Sequence, residues 1–210
     1  MDVRRCISVV LLFLLVVILD ALLFDALSKR VEEGTEDVFD AVREDMVYFP
    51  VPKSSYDTSG FRVSFADSWM ESRNFGGERG HEGCDIMAAV NKRGHYPVVS
   101  ISDGYVEKLG WLKLGGYRIG IRSPHGVYFY YAHLNDYAPG IEIGYEVRAG
   151  ELLGFMGDTG YSKTEGTTGF FPVHLHVGVY LDDENGEEQS YNPYPFLKEL
   201  EEKKLKFCFE

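Results

Sequence analysis

Cysteine is scarce in this chain: Cys6, Cys84 and Cys208 are too few to build a disulfide framework. Cys6 precedes an apolar run, so Cys84 and Cys208 remain either as one bridge or as two free thiols. Basic residues are also outnumbered, 21 Lys and Arg against 33 Asp and Glu, for a net charge of −12. Phosphate backbones bind basic faces, so this balance argues against a nucleic-acid groove and describes an acidic surface. No long internal repeat and no low-complexity tract is present. Helical patterning is missing from most of the chain, and after the first segments none is convincing until "YPFLKELEEKK".

What the sequence does contain is enough apolar material for one good core, with 45% hydrophobic and 14% aromatic residues in 210. One domain with accessories follows. The accessories come first. In "MDVRRCISVVLLFLLVVILDALLFDALSKR", Arg4 and Arg5 precede an uncharged run from Cys6 to Leu19 that resumes after Asp20 as far as Phe24. The uncharged part suits a signal-peptide core of about 7–15 residues, while the whole stretch approaches the ~20 residues that span a bilayer. The basic pair holds the N-terminus inside by the positive-inside rule, which favours an uncleaved anchor over residues 1–28. The expected location is the cell membrane, single-pass with the rest of the chain outside the cytoplasm. A secreted form follows if "ALS" at 26–28 is cut.

Residues 29–60 read as a short amphipathic stalk helix, with Val31, Val38, Val42 and Met46 at helical spacing, followed by the linker "YFPVPKSSYDTSG". From about Phe61 the texture becomes short β-patterned runs separated by glycines. Tyr117–Ile121 and Val127–Tyr131 flank "RSPHG", a hairpin turn, and "DENG" marks another turn near Asp183. The fold class is therefore mainly β, an antiparallel or sandwich-like domain over 61–200, with a charged tail at 201–210.

The chemistry gathers in three places. "VHLHVGV" sets His174 and His176 on one face of a strand, with Leu175 and Val177 on the other. "RGHEGCDIMAA" puts His81 four residues before Asp85 among glycines that argue for a turn entering a strand, with flexibility at Gly83. "YYAHLND" places His133 at the exit of an aromatic strand. Imidazole and carboxylate are both zinc ligands, and a catalytic zinc site takes three protein ligands with water in the fourth position. Two histidines and a carboxylate to hold a metal, with two further histidines for acid–base work, make a complete inventory.

In order along the chain, "HEGCD", "YYAHL", "GELLGFMGDTG" and "HLH" resemble the motifs of the M23 zinc endopeptidases of the lysostaphin type, which cut peptides of bacterial peptidoglycan. The resemblance runs from about Phe75 to Leu197. It implies Zn2+ as cofactor, His81, Asp85 and His176 as its ligands, His133 and His174 as the catalytic histidines, and a peptidoglycan peptide as substrate. The lipid bilayer is the other expected partner, through the N-terminal segment. A non-hydrolytic version of the same domain, a scaffold, a sporulation-type channel component or an activator of other wall hydrolases, is the alternative; the five filled positions favour the enzyme.

The chain departs from the family's pattern at two points. A longer loop separates Ser162 from His174, with Phe170 and Phe171 at its base. It is either one wall of a substrate groove or an ornament. A tyrosine often found shortly before the first ligand is not evident, and Asn74 or Arg79 is the substitute donor. His95 and His125 lack metal spacing and read as turn residues, Glu82 as a solvated turn carboxylate, and Cys84 as a core thiol facing away from Asp85.

Overall fold

A computed structural model of the chain describes residues 3–54, 63–75, 77–183 and 185–208, with side chains described except at 3–12, 30–35 and 37. It divides into two units, Met1–Asp40 and Ala41–Glu210. The first is helical and belongs to α1 (Val3–Asp45), in which Leu-rich sequence favours the helix. Lys29 pairs with Asp25 one turn away at 2.9 Å. Phe13, Ile18 and Phe24 are exposed. Among the described residues no helix is long and apolar enough to cross a membrane. The anchor expected over 1–28 is not met in the described part of α1, and the side chains of residues 6–12, on which that expectation leans, lie outside it.

The second unit begins with the end of α1, where Val42 and Met46 are buried. Of the expected linker, residues 55–60 lie outside the described ones, as does Phe61. Strands β1 (Lys53–Ser54), β2 (Val63–Ser64), β3 (Ser72–Arg73) and β4 (Arg79–Gly80) are two-residue pieces. They lead into β5 (Cys84–Ala88), β6 (Pro97–Val99), β7 (Gly104–Leu112), β8 (Gly116–Arg122) and β9 (Tyr128–Tyr137). After them come β10 (Glu146–Val147), β11 (Leu152–Met156), β12 (His174–Asp182), β13 (Glu188–Tyr191), α2 (Tyr194–Leu200) and β14 (Lys206–Phe207). The main sheet runs β10-β7-β8-β9-β12-β5-β2, with β11 joining β9 to β6 and β13 on β12. Every pairing in it is antiparallel. The tail is not loose: β14 pairs in parallel with β1, and β3 pairs with β4.

Alternation explains the core. On β12, Leu175, Val177 and Val179 are fully buried on one face; Leu175 is registered opposite Ile86 and Val179 opposite Phe129, and Ile119, Ile121 and Leu134 are fully buried as well. Tyr131 joins them because its hydroxyl accepts the Ile101 N–H at 2.8 Å, so burial leaves no phenol unpaired. Cys84 is buried and free, and Cys208 is exposed and free, so the bridge between them is absent. The hairpin at 123–127 closes as the sequence implies, with the Ser123 N–H on the Val127 carbonyl at 2.9 Å.

That turn is tied to the end of α1 by an acid that no motif marks. Asp45 is buried and accepts from the Ser123 hydroxyl and from the His125 backbone N–H, while its second oxygen meets His125 Nδ1 at 2.8 Å. The hydrogen bond to Asp45 raises the His125 pKa above its ordinary 6.5. A raised histidine pKa stabilises the fold fully below the unfolded value, and that contribution fades as pH rises through the folded value. The melting temperature of the parent protein is therefore expected to exceed that of His125→Gln most just below pH 6.5, with the gap narrowing at alkaline pH. A gap that stays constant or widens with pH would show that the charged pair contributes nothing.

Candidate active site

Two neighbouring groups, His81 and Asp85, meet the sequence-distant His176 at the β5–β12 seam. In the antiparallel register His176 sits directly opposite Asp85, so the two side chains share one face of the sheet. His81 arrives from the β4–β5 turn and closes a triangle: its Nε2 lies 3.0 Å from Asp85 Oδ1 and 2.9 Å from His176 Nδ1, and His176 Nδ1 lies 3.0 Å from the same Asp85 oxygen. The His81 Nδ1–H donates to the Ser68 carbonyl at 3.0 Å, which leaves Nε2 with its lone pair toward the triangle. Gly83 contributes by lacking a side chain. A Cβ there would stand 2.4 Å from His176 Cε1 and 2.6 Å from the Val177 carbonyl oxygen. Its value lies in space for His176 rather than in flexibility.

His174 and His133 form a second pair beside the triangle, their ring centres 4.6 Å apart. His174 precedes His176 on the same face of β12, and its Nε2 is 3.8 Å from Asp85 Oδ1. The His174 Nδ1–H donates to the Pro172 carbonyl at 2.8 Å, and the His133 Nδ1–H donates to the Thr159 carbonyl at 2.7 Å. Both rings therefore carry their proton on Nδ1 and keep Nε2 as an acceptor. His133 does not stand at a strand exit. It lies within β9, where an extra residue shifts the register against β8 between Ile119 and Tyr117, and its φ of 62° is left-handed. A bulge re-aims one side chain without ending the strand, at a cost of about 1–3 kcal/mol for a non-glycine residue in that region.

The five residues line one cleft of about 220 Å³ that also takes in Arg73, Arg79, Tyr130 and Tyr180. Asn74 is exposed on the β3–β4 hairpin, whereas Arg79 reaches the cleft. Phe171, from the long loop, packs its ring 4.6 Å from His133 and 5.0 Å from His174, while Phe170 is exposed. The loop is thus a wall behind the histidines, held by Asp158, which accepts from Arg93 and from the Gly169 N–H.

The model of peptidase family M23 matches residues 79–193, more than half of the chain. The chain belongs to peptidase family M23. The chain is 45% identical over 157 residues to an L-Ala–D-Glu endopeptidase of Bacillus subtilis, a match covering 73% of this chain and 43% of that one. It is 32% identical over 120 residues to the glycyl-glycine endopeptidase ALE-1 of Staphylococcus capitis, covering 56% and 29%. The chain thus spans less than half the length of either relative. A crystal structure from Ruminococcus gnavus, provisionally described as a glycyl-glycine endopeptidase LytM, superposes with a TM-score of 0.74 at 55% identity, covering 81% of this chain and 66% of that one.

The electrostatics of the M23 site fit a divalent metal. Burial would raise the Asp85 pKa, but the close approach of the His176 and His81 rings outweighs it and holds the carboxyl well below its ordinary range. Burial pushes the pKa of His133 well down and that of His174 down, so both imidazoles are neutral near pH 7. In the triangle two imidazole nitrogens and a carboxylate oxygen converge within hydrogen-bond distance. One proton cannot serve all three, whereas a divalent ion can. Zinc bonds of about 2.0–2.1 Å in tetrahedral geometry separate ligand atoms by about 3.3 Å, so the triangle need open by only a few tenths of an ångström. Cys84 takes no part: burial and the Asp85 charge push its thiol up to about 12.

Sequence reading could not reach the groups that orient these histidines. Ser68, Thr159 and Pro172 act through backbone carbonyls, which any residue type supplies. Thr159 lies within the "GDTG" motif, where its hydroxyl also donates to the Leu134 carbonyl at 2.7 Å, but nothing in the motif announces a bond to His133.

Proposed function

We propose that this M23 chain is a zinc-dependent endopeptidase acting on peptides of bacterial peptidoglycan, outside the cytoplasm where that polymer lies. The observation that carries the reading is the pairing of two sites: an acceptor triangle of His81, Asp85 and His176, and two neutral histidines immediately beside it. When bound, zinc would supply a Lewis acid for the scissile carbonyl and a nucleophile at neutral pH. His81, Asp85 and His176 would hold it. His174, with Nε2 unprotonated, takes a proton from the attacking water and returns it to the departing amine nitrogen. His133 is fixed in the same tautomer by Thr159, and its unprotonated Nε2 is free to accept a hydrogen bond from the attacking water and so orient it. Phe171 and the Asp158-anchored loop keep bulk water off the far side of both rings.

The relatives' names offer two kinds of bond, L-Ala–D-Glu and glycyl-glycine. Both bonds are candidates: the 45% match over 73% of this chain bears the stem-peptide name, and the 55% match over 81% bears, provisionally, the glycyl-glycine one. The test is digestion of purified peptidoglycan by the protein with and without a zinc chelator, followed by assay for new amino termini. Release that the chelator abolishes and added zinc restores is the expected result. Zinc binding with no release would return the chain to the scaffold reading.

A further inference from the structure

Two arginines stand side by side on one ribbon at the cleft, and nothing in the catalytic chemistry requires them. In the β3–β4 ribbon Arg73 is registered directly opposite Arg79, and both line the cleft with the metal-ligand triangle. Like charges directly opposite on a two-stranded ribbon repel, so the arrangement costs stability unless an anion lies between or beside them. Arg73 has partial compensation: it reaches Glu71 at 3.3 Å and Asp85 Oδ2 at 3.5 Å, distances too long for strong ion pairs. Arg79 has less. Its Nε is buried and, among the described residues, finds no hydrogen-bond partner. A buried, unpaired guanidinium nitrogen is expensive, and its presence calls for a ligand that supplies the acceptor.

The setting narrows the ligand. The chain carries a net charge of −12, so an anionic substrate is repelled by the molecule as a whole and needs a local cationic site to enter this cleft. Arg79 lies two residues before His81, about 7 Å along extended chain, which puts its reach within about one residue of the bond being cut. Guanidinium recognises a planar carboxylate through two parallel hydrogen bonds.

We propose that Arg79, assisted by Arg73, is a specificity-determining residue that binds a free carboxylate on the residue next to the scissile bond, selecting an acidic stem peptide over a neutral glycine bridge. This rests on the endopeptidase reading above and deepens it. The alternative role, Arg79 as donor to the oxyanion, would serve every peptide alike.

The experiment compares two synthetic stem peptides containing L-Ala–D-Glu that differ only in whether the D-Glu carboxylate beside the bond is free or amidated. For the parent protein kcat/KM is expected to favour the free acid by about ten-fold or more, the value of a charge-assisted pair. In Arg79→Gln the acid-to-amide ratio falls toward one, and Arg79→Lys restores part of it, since charge returns without the fork. Binding of both peptides to His174→Ala, alone and combined with Arg79→Gln, gives the same comparison without turnover. An unchanged ratio in Arg79→Gln, with both rates lowered together, would overturn the inference and leave the endopeptidase reading standing. No cleavage of either peptide, with acid-selective binding that Arg79→Gln removes, would overturn the endopeptidase reading and leave the carboxylate site. No discrimination by the parent protein in either measurement overturns the site.

Discussion

His174→Ala is expected to lower kcat/KM on the peptide substrate by about 10²–10⁴-fold, the usual yield of a positioned general base, while leaving the fold and the zinc content intact. The expectation follows from placement. His174 is the nearer of the two spare histidines to the ligand carboxylate, with Nε2 3.8 Å from Asp85 Oδ1, yet it stands outside the acceptor triangle. Its Nδ1–H is committed to the Pro172 carbonyl, which leaves Nε2 free to accept a proton. His133→Ala should lose activity to a similar extent, with some change in melting temperature, because its ring is buried and its Nδ1–H occupies the Thr159 carbonyl. Zinc content is measured by elemental analysis alongside the rates. Loss of zinc from His174→Ala would place that residue among the ligands and break the division between holding and proton transfer.

Gly83→Ala carries the second large effect, at a residue with no functional group. The added methyl would stand 2.4 Å from His176 Cε1 and 2.6 Å from a main-chain oxygen of β12. Real Cβ contacts are never so short, so either the imidazole turns away or the β5–β12 seam opens. Both movements break the triangle, because His176 and Asp85 are cross-strand partners across that seam. Zinc affinity is expected to fall by at least about 100-fold, the upper range for disturbing the surroundings of a metal ligand, and activity should fall with it. Circular dichroism should still report a β fold, since the core faces the other side of the sheet. A variant that retains full zinc and full activity would show that the site tolerates a shift the described packing forbids.

Much of this site is legible along the chain. The period of two on β12 alone puts His174 and His176 on the functional face and Leu175 and Val177 in the core, and the structure keeps that division. Cys84, one residue from Asp85, falls on the buried face by the same alternation. His133 shows where the period stops informing: an extra residue in β9 and a left-handed φ aim its side chain into the cleft from mid-strand, and a bulge leaves no composition signal in "YYAHLND". Gly83 is visible as a glycine, but the reason for it belongs to a histidine 93 positions away. Asp45 and His125 look like unrelated polar residues until the end of α1 and the β8–β9 turn are brought together.

What the sequence determined by itself is the set of candidate side chains and, on β5 and β12, the face each strand turns to the cleft, because alternation is a local property of extended backbone. What only the tertiary structure decided is distance. Strand register sets Asp85 opposite His176, backbone carbonyls fix each imidazole's tautomer, and a ribbon of two short strands sets Arg73 against Arg79. Those relations depend on which segments become neighbours in space, a choice the whole sheet makes through the burial of its other face.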